Sequence, residues 1–220
     1  LHKDIEKMGL TAESLVKHKS RAVTVIKSSG MGLESVALEE DDMGMRKEPK
    51  TGLWTYAGIY GWDKIDAGSR LLAECLPNDL TGFIADFGCG NGYLTAKILE
   101  KANPTSIFAV DNDARALSAA RKNIPAGPVQ FLWADCTRPN DDLPELDTVI
   151  MNPPFHSGKE TDISVGRGFV EMAANHLKPG GQLFMVANTH LAYEKLLKAQ
   201  FSSVEKVNED KGFKILKAVK

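Results

Sequence analysis

The chain is poor in cysteine, in aromatic residues and in net charge, and it has no long apolar run. Among 220 residues there are 3 cysteines, Cys75, Cys89 and Cys136. An odd number without metal-ligand spacing argues against a disulfide framework and reads as free thiols in a reducing, cytoplasmic setting. The 5 histidines are scattered and form no zinc pattern. No apolar stretch approaches the ~20 residues of a membrane span, and the opening residues do not read as a signal segment. Neither a membrane nor a metal is therefore expected as a partner. The net charge of −2 argues against a protein that coats nucleic acid by bulk electrostatics. A local basic face stays open. Its candidates are Lys3, Lys7, Lys17, Lys19 and Arg21 early in the chain and Lys211, Lys214, Lys217 and Lys220 late in it; the alternative is a solvated surface. With 43% hydrophobic and 25% charged residues, the chain can bury one sizeable core.

From Gly82 onward, short apolar runs alternate with helical patterns. Strands are expected near residues 83–87, 106–110, 129–133, 146–151, 181–187, 201–207 and 213–219. Helices are expected near 67–76, 92–101, 113–122, 166–177 and 190–199. Such alternation implies a mostly parallel sheet covered on both faces. The last two strands are joined by Asn208-Glu209-Asp210-Lys211-Gly212, a turn-rich connection that predicts a hairpin and an antiparallel last strand. The fold class is thus α/β, a Rossmann-like seven-stranded sheet with helices on both faces. Residues 1–48 fit this plan poorly. They hold a helical stretch up to about Lys19, a β-branched run from Ala22 to Ile26, and the acidic segment Glu39-Glu40-Asp41-Asp42, which reads as a mobile linker. The catalytic domain is expected over 49–220.

Phe83-Ile84-Ala85-Asp86-Phe87 is followed at once by Gly88-Cys89-Gly90-Asn91-Gly92, and helical character resumes at Leu94. Strand, glycine turn and helix make the layout of a doubly wound nucleotide site. Tyr93 stands where the dinucleotide fingerprint needs a small residue, so NAD and FAD are disfavoured. Asp86 suits a ligand with an ammonium group better than a pyrophosphate. Asp111 ends the next strand about twenty residues past the first glycine, the spacing at which a carboxylate reaches ribose hydroxyls. Asp135, after the third strand, is placed either to accept from an adenine amine or to cap a turn. Asp113 reads as an N-cap for the helix that follows it.

Asn152-Pro153-Pro154-Phe155 follows the strand Leu146 to Met151. An aromatic NH2 is a weak nucleophile because its lone pair is delocalised into the ring. A site that methylates it needs two acceptors aimed at the two N–H bonds. The Asn152 side-chain oxygen can be one and a carbonyl of the Pro153-Pro154 segment the other, since prolines fix φ and bring no competing N–H. Phe155 offers a flat face for a base, about 1–3 kcal/mol of stacking. Positioning and preorganised electrostatics would supply most of the rate. An ordinary Asn-Pro turn is the plain alternative.

Together these motifs resemble S-adenosylmethionine-dependent class I methyltransferases of the small-domain superfamily. Within it the chain is most similar to the bacterial small-subunit (16S) ribosomal RNA guanine-N2 methyltransferases, the methyltransferase C family. The likeness covers residues 50–220. It includes Ala57-Gly58-Ile59-Tyr60, Ile65 to Leu72, His176-Leu177 to Gly180-Gly181, Val186-Ala187-Asn188 and Leu191-Ala192-Tyr193. Ala192 departs from the proline that relatives often carry. The resemblance implies S-adenosylmethionine as cofactor, held by Asp86, Gly88, Gly90, Asp111 and Asp135, with Asn112 and Cys136 beside them. It implies Asn152, Pro153 and Phe155 as the amine clamp and base platform. His156 comes with the same motif and is expected at the base, at the RNA backbone, or in a structural hydrogen bond. Arg167 is a candidate for an RNA phosphate. Methyl transfer to a guanine N2 in small-subunit rRNA is the function implied, with rRNA or the ribosomal subunit as partner and a monomer as the expected state. Other planar amines stay open: a large-subunit guanine, a DNA adenine N6, or a protein glutamine. A scaffold without catalysis is the non-enzyme rival. In the family a degenerate domain precedes the catalytic one, so residues 1–30 are expected to be the tail of such a domain and the chain a fragment of a longer protein.

Overall fold

The computed structural model describes residues 11–17, 20–26, 44–154 and 163–220. The chain divides into two units, Leu1–Met43 and Gly44–Lys220. In the first, strands β1 (Thr11–Lys17) and β2 (Ser20–Ile26) form an antiparallel pair with Thr11 opposite Ile26. Over Thr11–Lys17 this corrects the helical reading of the stretch up to about Lys19; residues 1–10 lie outside the described residues. The β-branched run in β2 leaves a row of backbone groups that need a partner, and pairing overrides the helical preference of the neighbouring residues. The acidic segment and the lysines at positions 3, 7 and 19 lie outside the described residues.

The second unit opens with a short hairpin, β3 (Met45–Lys47) and β4 (Trp54–Tyr56). The elements that follow are α1 (Ala67–Cys75), β5 (Thr81–Phe87), α2 (Tyr93–Lys101), β6 (Asn103–Asp111), α3 (Ala114–Asn123), β7 (Val129–Trp133), β8 (Leu146–Met151), α4 (Ile163–His176), β9 (Leu177–Asn188), α5 (Tyr193–Lys198), β10 (Ser203–Asp210) and β11 (Phe213–Val219). The 7-stranded sheet has the order β10-β11-β9-β8-β5-β6-β7. β5 pairs in parallel with both β6 and β8, whereas β11 runs antiparallel to β9 and β10. The final hairpin is tighter than the sequence suggested. β10 runs on to Asp210, and the connection shrinks to Lys211 (φ 48°) and Gly212 (φ 85°). Two successive left-handed residues make the turn whose twist matches antiparallel strands.

Period-two alternation sorts the strands' side chains between two cores. Ala85, Phe87, Phe108, Val110, Val149, Met151, Leu183 and Met185 face one side, which α4 closes with Phe169, Val170, Met172 and Ala173. Ile84, Ile107, Ile150, Phe184 and Val186 face the other, which α1 and α2 close with Leu71, Leu72, Leu94 and Ile98. Asp66 caps the start of α1 by accepting from the Ser69 N–H at 2.7 Å. At its other end Lys101 Nζ donates to the carbonyls of Ala73 and Glu74 at 2.8 and 3.2 Å, where a cation also suits the helix dipole. Among the described residues, no helix is long and apolar enough to cross a membrane.

Phe184 is 2% exposed and packs in the core closed by α1 and α2. Phe184→Ala is expected to lower unfolding free energy by about 3–5 kcal/mol through lost burial and the cavity left behind. The urea midpoint checks this; an unchanged midpoint would mean the core is not formed as described.

Candidate active site

Parallel pairing brings the carboxyl ends of β5, β6, β7 and β8 to one edge of the sheet. A cleft of about 250 Å³ opens there. Gly58, Tyr60, Gly88, Gly90, Asp111, Asn112, Asp135, Cys136, Asn152, Pro154, Val165 and Phe169 are among its walls. A smaller recess lies alongside and shares Tyr60, Gly88, Gly90 and Asn152 with it. No group of histidine, cysteine, aspartate and glutamate with the geometry to hold a metal occurs among the described residues.

The glycine loop hangs from the end of β6. The N–H groups of Gly88 and Cys89 both donate to the Val110 carbonyl, at 2.8 and 3.0 Å, and Gly90 N–H donates to Asp111 Oδ2 at 2.8 Å. Gly92 starts α2 at φ 85°, and a Cβ there would stand 2.8 Å from Ile124 Cδ1, so only glycine fits. Asn123, at the end of α3, ties three segments together. Its Nδ2 donates to the carbonyls of Asn91 and Trp54 at 2.8 and 2.9 Å, and its Oδ1 accepts from Trp54 N–H at 2.8 Å. The β3–β4 hairpin is thereby anchored to the loop.

Charge in the cleft is negative and strained by burial. Asp86 is fully buried at the end of β5 and does not reach the cleft wall. Its Oδ2 accepts from Thr95 Oγ1 at 2.6 Å, and its Oδ1 has no hydrogen-bond partner among the described residues. Burial pushes this carboxyl up to about 7, against the pull of the Thr95 hydroxyl, and the charge of Asp111 adds to the rise. Asp111 is also raised by burial, partly offset by the N–H groups of Asp113 and Gly90. Asp135 behaves differently. Its Oδ1 accepts from the hydroxyl and N–H of Thr137 at 2.6 and 2.8 Å, which lowers it, while the residue stays exposed. Asp135 is thus both a turn cap and a wall of the cleft. Gly168 of α4 allows this turn to pack closely: a Cβ there would fall 2.6 Å from Thr137 Cβ. Burial holds the Cys89 and Cys136 thiols well above the ordinary range, so neither is a nucleophile.

Asn152, directly after β8, is 8% exposed. Its Nδ2 donates to Asp66 Oδ2 at 2.9 Å and to Ser69 Oγ at 2.8 Å. Its Oδ1 has no partner among the described residues. The Tyr60 hydroxyl is raised by burial and by the nearby carboxylate of Asp66, partly offset by the side-chain amide of Asn152, which also lies against it.

Of the residues singled out from sequence, Gly88, Gly90, Asp111, Asn112, Asp135, Cys136 and Asn152 meet in the cleft. Pro153 is buried beside it, and Pro154 rather than Pro153 lines it. Arg167 is exposed on α4 and is not among the lining residues. Phe155 and His156 lie outside the described residues. Asp113 caps α3 through the Arg115 N–H, as its position suggested. Sequence reasoning missed Tyr60, Asp66 and Ser69 as site residues. The available signal was the spacing Asp66-x-x-Ser69 ahead of an apolar helix, which reads as a cap and says nothing of a partner on β8.

A carboxyl that binds its proton more tightly when folded contributes stability at low pH that is lost as the pH rises through about 7. Asp86→Asn is neutral throughout and can still accept from Thr95. Its melting temperature is expected to gain on the wild type between about pH 4 and pH 7, then hold its lead. Parallel melting curves across that range would overturn the assignment.

A family model described as the methyltransferase small domain matches residues 50–217. A ribosomal RNA small subunit methyltransferase C of Psychromonas ingrahamii is 35% identical over 162 residues, covering 74% of this chain and 46% of that protein. A ribosomal RNA large subunit methyltransferase G of Shewanella loihica is 30% identical over 224 residues, covering 97% of this chain and 55% of its own length. The chain thus spans about half the length of these relatives. Among solved structures, a T. thermophilus 16S rRNA N2 methyltransferase in complex with AdoMet and guanosine superposes with a TM-score of 0.67 at 23% identity, over 96% of this chain and 50% of that one. That likeness establishes the fold, a class I methyltransferase sheet.

Proposed function

The chain belongs to the methyltransferase small-domain family, and on that premise we propose that it methylates the exocyclic N2 amine of a guanine in small-subunit ribosomal RNA, with S-adenosylmethionine as donor. One observation carries this reading: a buried Asn152 Oδ1 without a partner, on a wall that the glycine loop shares. A buried acceptor left open has a free-energy cost that an incoming N–H donor removes. An amine edge supplies that donor.

The residues fit S-adenosylmethionine. Gly88 and Gly90 keep the loop free of side chains, with φ 74° and 55°. Asp111 has lone pairs left for ribose hydroxyls, Asp135 and Asn112 frame the far wall, and Cys136 packs beside them. Asp86 does not reach the cleft wall; its carboxyl beneath the glycine loop is proposed to favour the ammonium group at a distance, without direct contact. When bound, S-adenosylmethionine supplies an electrophilic methyl group on a sulfonium sulfur. The chain's own part is to orient the amine. Asn152 Oδ1 accepts one N–H, a carbonyl of the Pro153-Pro154 segment accepts the other, and Phe155 stacks the base. An arylamine that has gained a methyl group is a strong acid, so its proton needs no dedicated base. The base must leave any helix to reach the cleft. His156, and Arg167 on the exposed face of α4, are proposed substrate contacts.

A large-subunit guanine is the second reading, supported by the relative named for that subunit, which aligns with nearly the whole chain. Small subunits, large subunits and DNA should be offered labelled S-adenosylmethionine in parallel, followed by nucleoside analysis. N2-methylguanosine from small subunits alone is expected; label confined to large subunits or to adenine would overturn the assignment. Asn152→Ala is expected to lower kcat by roughly 10²–10³-fold, as for loss of one preorganised transition-state contact. It should keep the thermal stabilisation by S-adenosylmethionine, about 2.7 kcal/mol at 100 times Kd. Loss of both would make Asn152 a structural residue. If the ionised Asp86 favours the ammonium group from beneath the loop, affinity should weaken as the pH falls below about 7, and Asp86→Asn should flatten that dependence.

A further inference from the structure

The two ends of an asparagine amide have nearly the same shape, yet one accepts a hydrogen bond and the other donates two. A site built on Asn152 could therefore present either end to a substrate. The end it presents is decided by the groups behind it. We propose that Asp66 and Ser69 are positioning residues that lock the Asn152 amide with its oxygen toward the cleft, so that the site takes an NH2 edge and rejects a carbonyl edge. This inference rests on the amine-methylation reading above.

Both protons of Asn152 Nδ2 are engaged, one by Asp66 Oδ2 at 2.9 Å and one by Ser69 Oγ at 2.8 Å. A carboxylate only accepts, so it admits the NH2 end and no other. Turning the amide over would set Asn152 Oδ1 against a carboxylate oxygen, lone pair to lone pair, at a buried position where such repulsion is little screened. It would also aim an NH2 group into the cleft. That group would repel an incoming amine and welcome a carbonyl. With the amide as it stands, Oδ1 is the atom left open, and it is buried without a partner.

Asp66 is itself fixed. It is the N-cap of α1 at φ −62° and ψ 133°, and the same Oδ2 accepts from the Ser69 backbone N–H at 2.7 Å. The start of a helix thus sets the carboxylate, the carboxylate sets the amide, and the amide sets which edge of a base can react. Ser69 is 8% exposed and contributes both its N–H to the cap and its hydroxyl oxygen to Asn152. Asp66 and Ser69 also line the smaller recess beside the glycine loop, and toward Asn152 their part is to fix the geometry of the amide.

Four variants of the chain separate the possibilities: Asp66→Ala, Asp66→Asn, Ser69→Ala and Asn152→Ala. The assay is methyl transfer to small ribosomal subunits, with S-adenosylmethionine affinity measured by calorimetry. Asp66→Ala is expected to lower kcat roughly 10- to 100-fold, with KM and the S-adenosylmethionine Kd held within about twofold. Ser69→Ala, which leaves the cap intact, should lower kcat in the same sense by a smaller factor. Asp66→Asn keeps the cap and an oxygen acceptor and should restore most of the rate. A role in capping alone would lower the melting temperature of Asp66→Ala and leave kcat at temperatures well below it unchanged. Wild-type kcat in Asp66→Ala and Ser69→Ala beside an inactive Asn152→Ala would overturn this inference alone. Full activity in Asn152→Ala would overturn the amine clamp and the inference with it.

A readout free of turnover uses 15N-labelled side-chain amides, with the Asn152 signal identified by its loss in Asn152→Ala. Both of its NH2 protons should exchange slowly in the wild type and quickly in Asp66→Ala. Protection unaltered by Asp66→Ala would overturn the lock whatever the substrate proves to be.

Discussion

The parallel register between β5 and its two neighbours is the constraint on which the cleft depends. Phe87 lies opposite both Val110 of β6 and Met151 of β8. One residue beyond those partners come Asp111 and Asn152, and one residue beyond Phe87 the glycine loop begins. The loop's first two N–H groups have no further strand to pair with, and they find the Val110 carbonyl because the register puts it there. A slip of one residue in β8 would exchange Met151, now in the core shared with α4, for Asn152. Core and site therefore specify each other: the apolar alternation that buries Phe87, Val110 and Met151 also delivers the polar residues to the edge of the sheet.

Most of the sheet was legible in the sequence because its signal is local. Apolar runs such as Thr148 to Met151 and the glycine loop after Phe87 carry their own punctuation, and α3 announces itself with Asp113. The cleft was legible for a related reason. In a parallel sheet the residues just after each strand share one edge, so Asp111, Asp135 and Asn152 could be gathered from chain position alone. Local signals failed where a distant partner decides. β1 reads as helix until it is paired with β2, because the stabilisation comes from a strand that propensity does not see. Asp66 and Ser69 read as a helix cap, and their second role depends on Asn152, which lies far along the chain.

Asp86 and Asp111 illustrate how a binding site differs from a stable core. Both carboxyls are pushed up by burial, and Asp86 keeps an oxygen without a partner. A hydrophobic residue at position 86 would remove that cost. Keeping it leaves under the glycine loop a carboxyl whose ionisation an anionic occupant such as a pyrophosphate would oppose and a cationic one would promote. The half-buried Asp113 and the exposed Asp135 are lowered, Asp113 by its hydrogen bond from Arg115 and Asp135 chiefly by the Thr137 hydroxyl, with Arg138 adding to it.

The strand that completes the sheet is made after every residue of the cleft. β11 lies between β9 and β10 and places Ile215 in one core and Leu216 and Ala218 in the other. During synthesis β9 therefore waits with a bare edge until residues 213–219 have cleared the ribosome. For that interval the glycine loop, Asp111 and Asn152 already exist as sequence, but the two cores that align their strands are open on one side. Folding of the site is thereby coupled to the end of translation of this domain. The window in which β9 can pair with a neighbouring nascent chain is set by how quickly the Lys211-Gly212 turn closes.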